Sequence, residues 1–130
     1  MPSRELARVL FVEDEADIRE IIELALGTVG GLALRPCASG EDAVGAIDAF
    51  RPDLILLDVM MPGLDGPTTL RRLRANREHA GIPVIFMTAK AQRHEVEHFV
   101  ALGAAGVIAK PFDPMTLAEQ LRAIWRRIPD

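Results

Sequence analysis

Charged and hydroxyl side chains follow four short apolar runs of this sequence, each at the point where the run ends. They are Glu13 and Asp14 after residues 9–12, Asp58 after residues 54–57, Thr88 after residues 84–87, and Lys110 after residues 106–109. Each residue alone has a common structural explanation, such as capping a helix or satisfying a loop amide. Together they supply three carboxylates, one hydroxyl and one ammonium, a combination that local capping does not explain.

The charges of these residues favour a hard divalent cation. Glu13, Asp14 and Asp58 would carry −3 when ionised, and neighbouring carboxylates resist ionising together. Lys110 and one divalent cation would bring the sum to zero. Because the ligands are oxygens, with no His or Cys nearby, they favour Mg²⁺ over Zn²⁺. A metal beside an acid, a lysine and a hydroxyl can also hold a phosphoryl group.

The apolar runs predict buried β-strands. Runs that are continuous rather than alternating are typical of parallel strands covered on both faces. Leu32 and Leu34 instead alternate with Ala33 and Arg35, which favours an edge strand. The sequence therefore predicts five strands, four of which end at these charged or hydroxyl residues.

Helical spacing lies between the runs. The predicted apolar stripes are Ile18, Ile21, Ile22, Ala25, Leu26 and Val29; Val96, Phe99, Val100 and Gly103; and Leu117, Leu121, Ile124, Trp125 and Ile128. Ser39 and Asp42 predict a capping box for a helix that buries Val44 and Ile47. First-turn positions are expected for Pro67 and Pro114, with Asp113 as a cap. Five strands alternating with five helices indicate a doubly wound α/β sandwich, in which ligands bind at the carboxyl ends of the strands.

Composition narrows the class of protein. The 130 residues are 49% apolar with a net charge of −4, which suits one globular domain and argues against a nucleic-acid surface. Cys37 is the single cysteine, so we expect no disulfide framework and a reducing compartment. No apolar stretch is long enough for a membrane span or a signal-peptide core. We therefore expect a cytoplasmic domain.

Four motifs give the chain a resemblance to response-regulator receiver domains, in particular the single-domain chemotaxis regulators. They are V-E-D at 12–14, D-V-M-M-P-G-L-D-G at 58–66, M-T-A at 87–89 and A-K-P-F at 109–112. The resemblance covers essentially the whole chain. It implies a flavodoxin-like fold with a five-stranded parallel sheet of order 2-1-3-4-5, and one receiver domain over residues 1–130 with no output domain.

The resemblance also implies roles for individual residues. Asp58 would be the phosphoacceptor, taking a phosphoryl group from a phosphohistidine on a sensor histidine kinase or a histidine phosphotransfer protein. Thr88 and Lys110 would bind phosphoryl oxygens, and the Lys110–Pro111 peptide bond would be cis. The implied Mg²⁺ ligands are Glu13, Asp14, Asp58 and the backbone carbonyl of Met60. The site would hydrolyse its own acyl phosphate, so the protein would be a timed switch and not a metabolic enzyme.

One position departs from the family pattern. Receivers usually carry Tyr or Phe three residues before the lysine, where the ring moves when the threonine engages the phosphoryl group. This chain has Val107 there. The resemblance implies a downstream protein target at the face of the fourth helix, fifth strand and fifth helix, with no membrane or nucleic-acid contact. The way in which that face senses phosphorylation stays open.

Two alternatives to an active single-domain receiver remain. One is a pseudo-receiver, an interaction module with this fold and no phosphorylation; intact Asp14, Asp58, Thr88 and Lys110 favour the active form. The other is the receiver part of a longer DNA-binding regulator or hybrid kinase.

A second motif suggests different chemistry. Residues 94–98 read H-E-V-E-H, which matches the H-E-x-x-H helix signature of zinc proteases. On a helix, however, His94 and His98 lie almost opposite the apolar stripe that contains Val96 and Phe99. They are predicted to face solvent, whereas a catalytic zinc needs a third ligand and a cleft. Chance zinc or nickel binding, or a partner contact, is a better interpretation than proteolysis.

Overall fold

The computed structural model describes residues 4–129, in which five β-strands alternate with helices. The elements are β1 (Arg8–Val12), α1 (Ala16–Glu23), β2 (Ala33–Cys37), α2 (Gly40–Phe50), β3 (Leu54–Asp58), α3 (Gly66–Ala75), β4 (Val84–Thr88), α4 (Arg93–Ala101), β5 (Gly106–Ala109) and α5 (Leu117–Arg127). Helix α1 continues directly into a π-helical segment, Leu24–Val29.

The strands form one parallel sheet of order β2-β1-β3-β4-β5, as the resemblance implied. All five residues of β3 and of β4 are buried, because helices cover both faces of these apolar strands. Strand β2 lies at an edge, as its alternating pattern predicted, and continues through Pro36 to Cys37. In the register, Asp58 lies opposite Met87, so the residues that end β3 and β4 are neighbours.

The sheet separates two hydrophobic clusters. Alternate strand residues point to opposite faces, so Phe11 and Leu56 join the cluster under α1 and α5. Val12 and Leu57 join the cluster under α2 and α3. Burial of this apolar surface on both faces is the main stabilising contribution to the fold.

Helix α2 begins at Ser39 as predicted, but only half of the predicted capping box forms, since the Asp42 carboxylate accepts from the Ala38 amide and not from that of Ser39. The helix also buries a different set of residues. The Ser39 hydroxyl accepts a hydrogen bond from the Asp42 amide at 3.0 Å. Ile47 is buried, whereas Val44 is only half-buried, which corrects the prediction for Val44. The buried stripe runs through Ala43, Ala46 and Ile47, and Val44 lies on its flank.

The predicted stripe of α1 is also wrong at two positions. Ile21 is 38% exposed and Val29 is 49% exposed, although both were expected to face the core. Ile21 lies about 90° around the helix from the centre of the buried residues Ile22, Ala25 and Leu26. Val29 lies in the π-helical segment, whose wider turn breaks the 3.6-residue spacing.

Helix α4 has no buried residue, contrary to its predicted stripe. Val96 and Phe99 are half-buried, while Val100 and Gly103 are exposed. The helix packs against β5 at the edge of the sheet, where a narrower strip of its surface is covered.

Helix α5 buries Leu117, Leu121, Ile124 and Trp125 as predicted, but Ile128 lies just beyond its end and is only half-buried, and the helix starts later than expected. Pro67 occupies the first turn of α3, as predicted, whereas Pro114 lies in a turn before α5 and not in the helix. Asp113 accepts a hydrogen bond from the Met115 amide at 2.9 Å. Because the Asp113 side chain satisfies this turn, α5 begins only at Leu117.

Within residues 4–129, no helix combines the length and the apolar character that spanning a bilayer requires.

Candidate functional site

The predicted site residues meet at the edge of the sheet where the parallel strands end. Glu13 and Asp14 follow β1, Asp58 is the last residue of β3, Thr88 is the last residue of β4, and Lys110 follows β5. Since β1, β3, β4 and β5 run in the same direction, their carboxyl ends open on one crevice.

Three carboxylates share this crevice. One oxygen from each of Glu13, Asp14 and Asp58 lies within 4.8 Å of the other two. Glu13 and Asp58 are almost completely buried, at 1% and 3% exposure, and Asp14 is half-buried. Among the described residues, no hydrogen-bond donor reaches the Asp14 carboxylate, so its oxygens face the crevice without a protein partner.

Lys110 is the cation that reaches this cluster. Its Nζ donates a hydrogen bond to Glu13 Oε1 at 2.9 Å and lies 3.2 Å from Asp58 Oδ2. One ammonium thus bridges two buried carboxylates. The Lys110–Pro111 peptide bond is cis, as expected.

The pKa values of Asp58 and Lys110 are both raised, as expected where acids outnumber bases. Burial, and then the neighbouring charge of Glu13, raise the pKa of Asp58 from 3.8 to about 6, although Lys110 opposes this shift. Burial alone would lower the pKa of Lys110, but its hydrogen bond to Glu13 and the charge of Asp58 outweigh burial and raise it. Lys110 therefore stays protonated, whereas Asp58 loses its proton at a higher pH than an ordinary aspartate does.

Thr88 and Met60 lie at the same edge without entering the ion-pair network. Thr88 is buried, and its hydroxyl accepts a hydrogen bond from the Lys90 amide at 3.0 Å. Met60 follows β3 with an exposed side chain, and its amide donates to Asp58 Oδ1 at 3.3 Å.

Arg19 supports the loop that carries Glu13 and Asp14, a role that its place in the sequence does not reveal. Its guanidinium donates to the backbone carbonyls of Glu13 at 2.8 Å and Asp14 at 3.3 Å. It thereby ties the loop that carries both acids to α1. The only signal in the sequence is an arginine one turn into a helix, which is too common to single out.

The donor chemistry of the crevice fits Mg²⁺. The clustered ligand atoms are all carboxylate oxygens. Magnesium prefers oxygen ligands, whereas zinc more often binds histidine nitrogen or cysteine sulfur. Cys37 lies elsewhere, buried at the end of β2, where burial raises the pKa of its thiol to about 12 and keeps it unreactive. His94 and His98 are exposed on α4, as predicted, and take no part in this site.

Comparison with known proteins identifies the family. Residues 9–122 match the response regulator receiver domain. The transcriptional regulatory protein CseB of Streptomyces avermitilis is 42% identical over 95% of this chain and 51% of its own length. The phosphate regulon transcriptional regulatory protein PhoB of Pseudomonas aeruginosa is 40% identical over 92% of this chain and 52% of its own length. The chain thus spans about half the length of these curated relatives.

Solved structures agree with this match. The chemotaxis response regulator CheY4 of Vibrio cholerae superposes with a TM-score of 0.83 at 28% identity, covering 92% of this chain and 98% of that one. The receiver domain of the Francisella response regulator 1452 gives a TM-score of 0.81 at 26% identity, covering 93% and 98%. The chain therefore belongs to the receiver domains of two-component response regulators, which are not conventional enzymes.

Proposed function

We propose that Asp58 accepts a phosphoryl group from a phosphohistidine of a sensor histidine kinase or a histidine phosphotransfer protein. A carboxylate oxygen of Asp58 attacks phosphorus, an O–P bond forms, and the N–P bond of the donor breaks with the imidazole as leaving group. The observation that carries this proposal is the position of Asp58 between two further carboxylates and the ammonium of Lys110, 3.2 Å away.

Mg²⁺ is the proposed cofactor, held by Glu13, Asp14, Asp58 and the Met60 carbonyl. When bound, it would neutralise charge on the transferring phosphoryl group and on the acids. Asp14 is half-buried, and no protein donor among residues 4–129 bonds to its carboxylate. Both observations support the assignment of Asp14 as a metal ligand.

Lys110 and Thr88 are proposed to hold the phosphoryl oxygens. Lys110 has three N–H donors and remains protonated, so it can exchange one of its carboxylate contacts for a phosphoryl oxygen. The Thr88 hydroxyl uses a lone pair for the Lys90 amide, which leaves its proton available as a donor. Hydrolysis of the resulting acyl phosphate would return the protein to its starting state, which makes it a timed switch.

The downstream partner is proposed to be a protein that docks on α4, β5 and α5. Val100 and Leu102, 49% and 39% exposed, supply apolar surface at the end of α4. Val107 of β5 packs against the same cluster as Phe99 of α4. Since Val107 has no ring to rotate, movement of Thr88 would be transmitted through the packing of Val107 and Phe99.

We further propose that residues 1–130 act as one receiver domain in the cytoplasm, without membrane or nucleic-acid contact of its own. The match over residues 9–122, the net charge of −4 and the unpaired thiol of Cys37 support this.

Intact-mass measurement after incubation with acetyl phosphate and Mg²⁺ tests the proposal. Wild type should gain one phosphoryl group, about 80 Da, that hydroxylamine removes because it attacks acyl phosphates. Asp58→Asn should gain none. Asp65→Asn is the matched control: Asp65 caps α3 through the Thr68 amide at 2.8 Å, and Asn caps equally well, so this variant should still be labelled.

Labelling of Asp58→Asn to the wild-type level would disprove the assignment of Asp58. A wild type that is never labelled, by acetyl phosphate or by a phosphorylated histidine kinase, would leave the pseudo-receiver as the function.

A further inference from the structure

A second group of metal-ligand side chains lies at the opposite edge of the sheet, where the strands begin. Asp48 is in the last turn of α2, and Glu78 and His79 lie between α3 and β4. One ligand atom from each lies within 4.8 Å of the other two. None of the three takes part in the proposed phosphoryl chemistry.

His79 is the fixed member of this group. It is only 5% exposed, although it lies in a loop. Its Nε2 is 2.8 Å from Asp48 Oδ1, and Asp48 is the one hydrogen-bond partner of the ring among residues 4–129. The Asp48 side chain is 77% exposed. A buried imidazole thus points at a carboxylate that can move without disturbing the core.

A cavity of about 680 Å³ opens beside these residues and has a surplus of negative charge. It is lined by the carboxylates of Asp48, Asp53 and Glu78 and by the guanidiniums of Arg4 and Arg51. Arg4 is paired with Asp53. Asp48 and Glu78 therefore carry two negative charges against the single remaining cation, which favours a divalent ion over an anion.

We propose that Asp48, Glu78 and His79 form a binding site for a zinc-class divalent transition metal. One imidazole and two carboxylates are a ligand set that zinc accepts, with a water completing four-coordination from the cavity. Two ligands of a tetrahedral zinc lie about 3.4 Å apart, so the 2.8 Å separation of Asp48 Oδ1 and His79 Nε2 must widen and the oxygen must swing off the axis of the ring nitrogen. The Asp48 side chain is exposed, so rotation about its side-chain bonds can make this change. Glu78, which is exposed, can close the third position by side-chain rotation.

The histidines of α4 are the rival site for the same ion. His94 and His98 are spaced four residues apart on an exposed helix, which suits two-point chelation of zinc or nickel. These two and His79 are the three histidines of the chain. Substitution can therefore assign any bound zinc to one site or the other.

The test is zinc titration by isothermal calorimetry in excess Mg²⁺, which occupies the oxygen ligands of the Asp58 crevice. The reference protein is the double variant His94→Gln/His98→Gln, and the probe is zinc chloride alone. We expect one zinc per chain in the reference. Adding Asp48→Asn or Glu78→Gln, both at exposed positions, should weaken binding by at least about tenfold.

Two further measurements keep the site distinct from the phosphoryl site and from misfolding. Asp58→Asn, a matched Asp-to-Asn change in the other acidic cluster, should leave zinc binding unchanged. In the reference protein His79 supplies the only imidazole signals, and zinc should shift them in an NMR spectrum. His79→Gln should lose binding, and far-UV circular dichroism reports whether this buried substitution still folds.

Loss of zinc in the double variant would overturn the proposal in favour of α4. So would zinc affinity that is unchanged by Asp48→Asn, or that falls with Asp58→Asn.

Discussion

Two aspartates stand at the two ends of β3, and both are buried, yet their surroundings differ in kind. Asp53 directly precedes the strand and is 6% exposed. Its Oδ2 accepts hydrogen bonds from the amides of Ala7 at 3.1 Å and Arg8 at 2.9 Å, and its Oδ1 pairs with the Arg4 guanidinium. Both carboxylate oxygens of Asp53 therefore have hydrogen-bond donors, and its charge has a cationic partner.

Asp58, the last residue of the same strand, lacks that balance. It accepts one long hydrogen bond, from the Met60 amide at 3.3 Å, and shares the ammonium of Lys110 with Glu13. Its pKa is raised, first by burial and then by Glu13. Burial and residue type are alike at the two ends. The number of hydrogen-bond donors therefore separates Asp53, whose charge is compensated within the fold, from Asp58, whose charge is only partly compensated.

The largest effect should come from Asp53→Ala. It leaves two backbone amides without an acceptor and is expected to lower the free energy of unfolding by about 2–3 kcal/mol. Urea denaturation followed by circular dichroism measures this. Asp17→Ala, at an exposed acid in the first turn of α1, is the control and should cost less than about 1 kcal/mol. Equal losses for the two variants would remove the contrast between Asp53 and a surface acid.

Asp58→Asn should act in the opposite direction. In metal-free buffer at pH 7.5 we expect it to raise the free energy of unfolding by roughly 1–2 kcal/mol, because it removes a buried charge that faces Glu13. The folded pKa, about 6, lies above the unfolded value of 3.8, so the folded state binds this proton more tightly. Wild type therefore loses stability as pH rises through this window, and the advantage of Asp58→Asn should shrink towards pH 4. Urea midpoints at several pH values measure it; a less stable Asp58→Asn at pH 7.5 would show that the acids do not repel.

Mg²⁺ should offset part of the repulsion between Asp58 and its neighbouring carboxylates. At ten times its dissociation constant, an ion that binds only the folded protein adds about 1.4 kcal/mol, a rise of roughly 3–6 °C in melting temperature for a domain of this size. Wild type should show this rise between chelator and Mg²⁺ at constant ionic strength. Asp58→Asn, which lacks one anionic ligand, should show less, and Asp53→Asn, at the other end of β3, should respond like wild type. A wild type that ignores Mg²⁺ would contradict the magnesium assignment.

The smallest effect is expected from Arg4→Ala. The Arg4 side chain is 68% exposed, so its ion pair with Asp53 is screened by solvent. We expect a loss below about 1 kcal/mol in urea denaturation, well short of that for Asp53→Ala. If the two losses are equal, the ion pair, and not the backbone amides of Ala7 and Arg8, is what makes Asp53 stabilising.

Sequence alone predicted the sheet well because its central strands are buried on both faces. A continuous apolar run such as residues 54–57 is typical of a buried parallel strand. The end of that run therefore predicts that Asp58 lies at the carboxyl end of the strand. The convergence of Glu13, Asp14, Asp58 and Lys110 followed from strand direction alone.

Helix faces and side-chain partners were less predictable. The stripe of α1 failed at Val29 because the π-helical winding depends on packing that no local spacing encodes. Val100 was misplaced because α4 lies at the sheet edge, where the depth of burial depends on tertiary contacts. His79 and Asp48 are 31 residues apart, and their 2.8 Å contact exists only once α2 and the loop before β4 are assembled.

The division of the core into two clusters has a consequence for how substitutions in the core affect stability. A residue such as Phe11 contacts the layer of α1 and α5, whereas its neighbour Val12 contacts the layer of α2 and α3. Substitutions in separate layers share no partners, so their effects on stability should largely add. Each layer can then accept substitutions on its own, without altering the packing of the other layer or the crevice at the carboxyl ends of the strands between them.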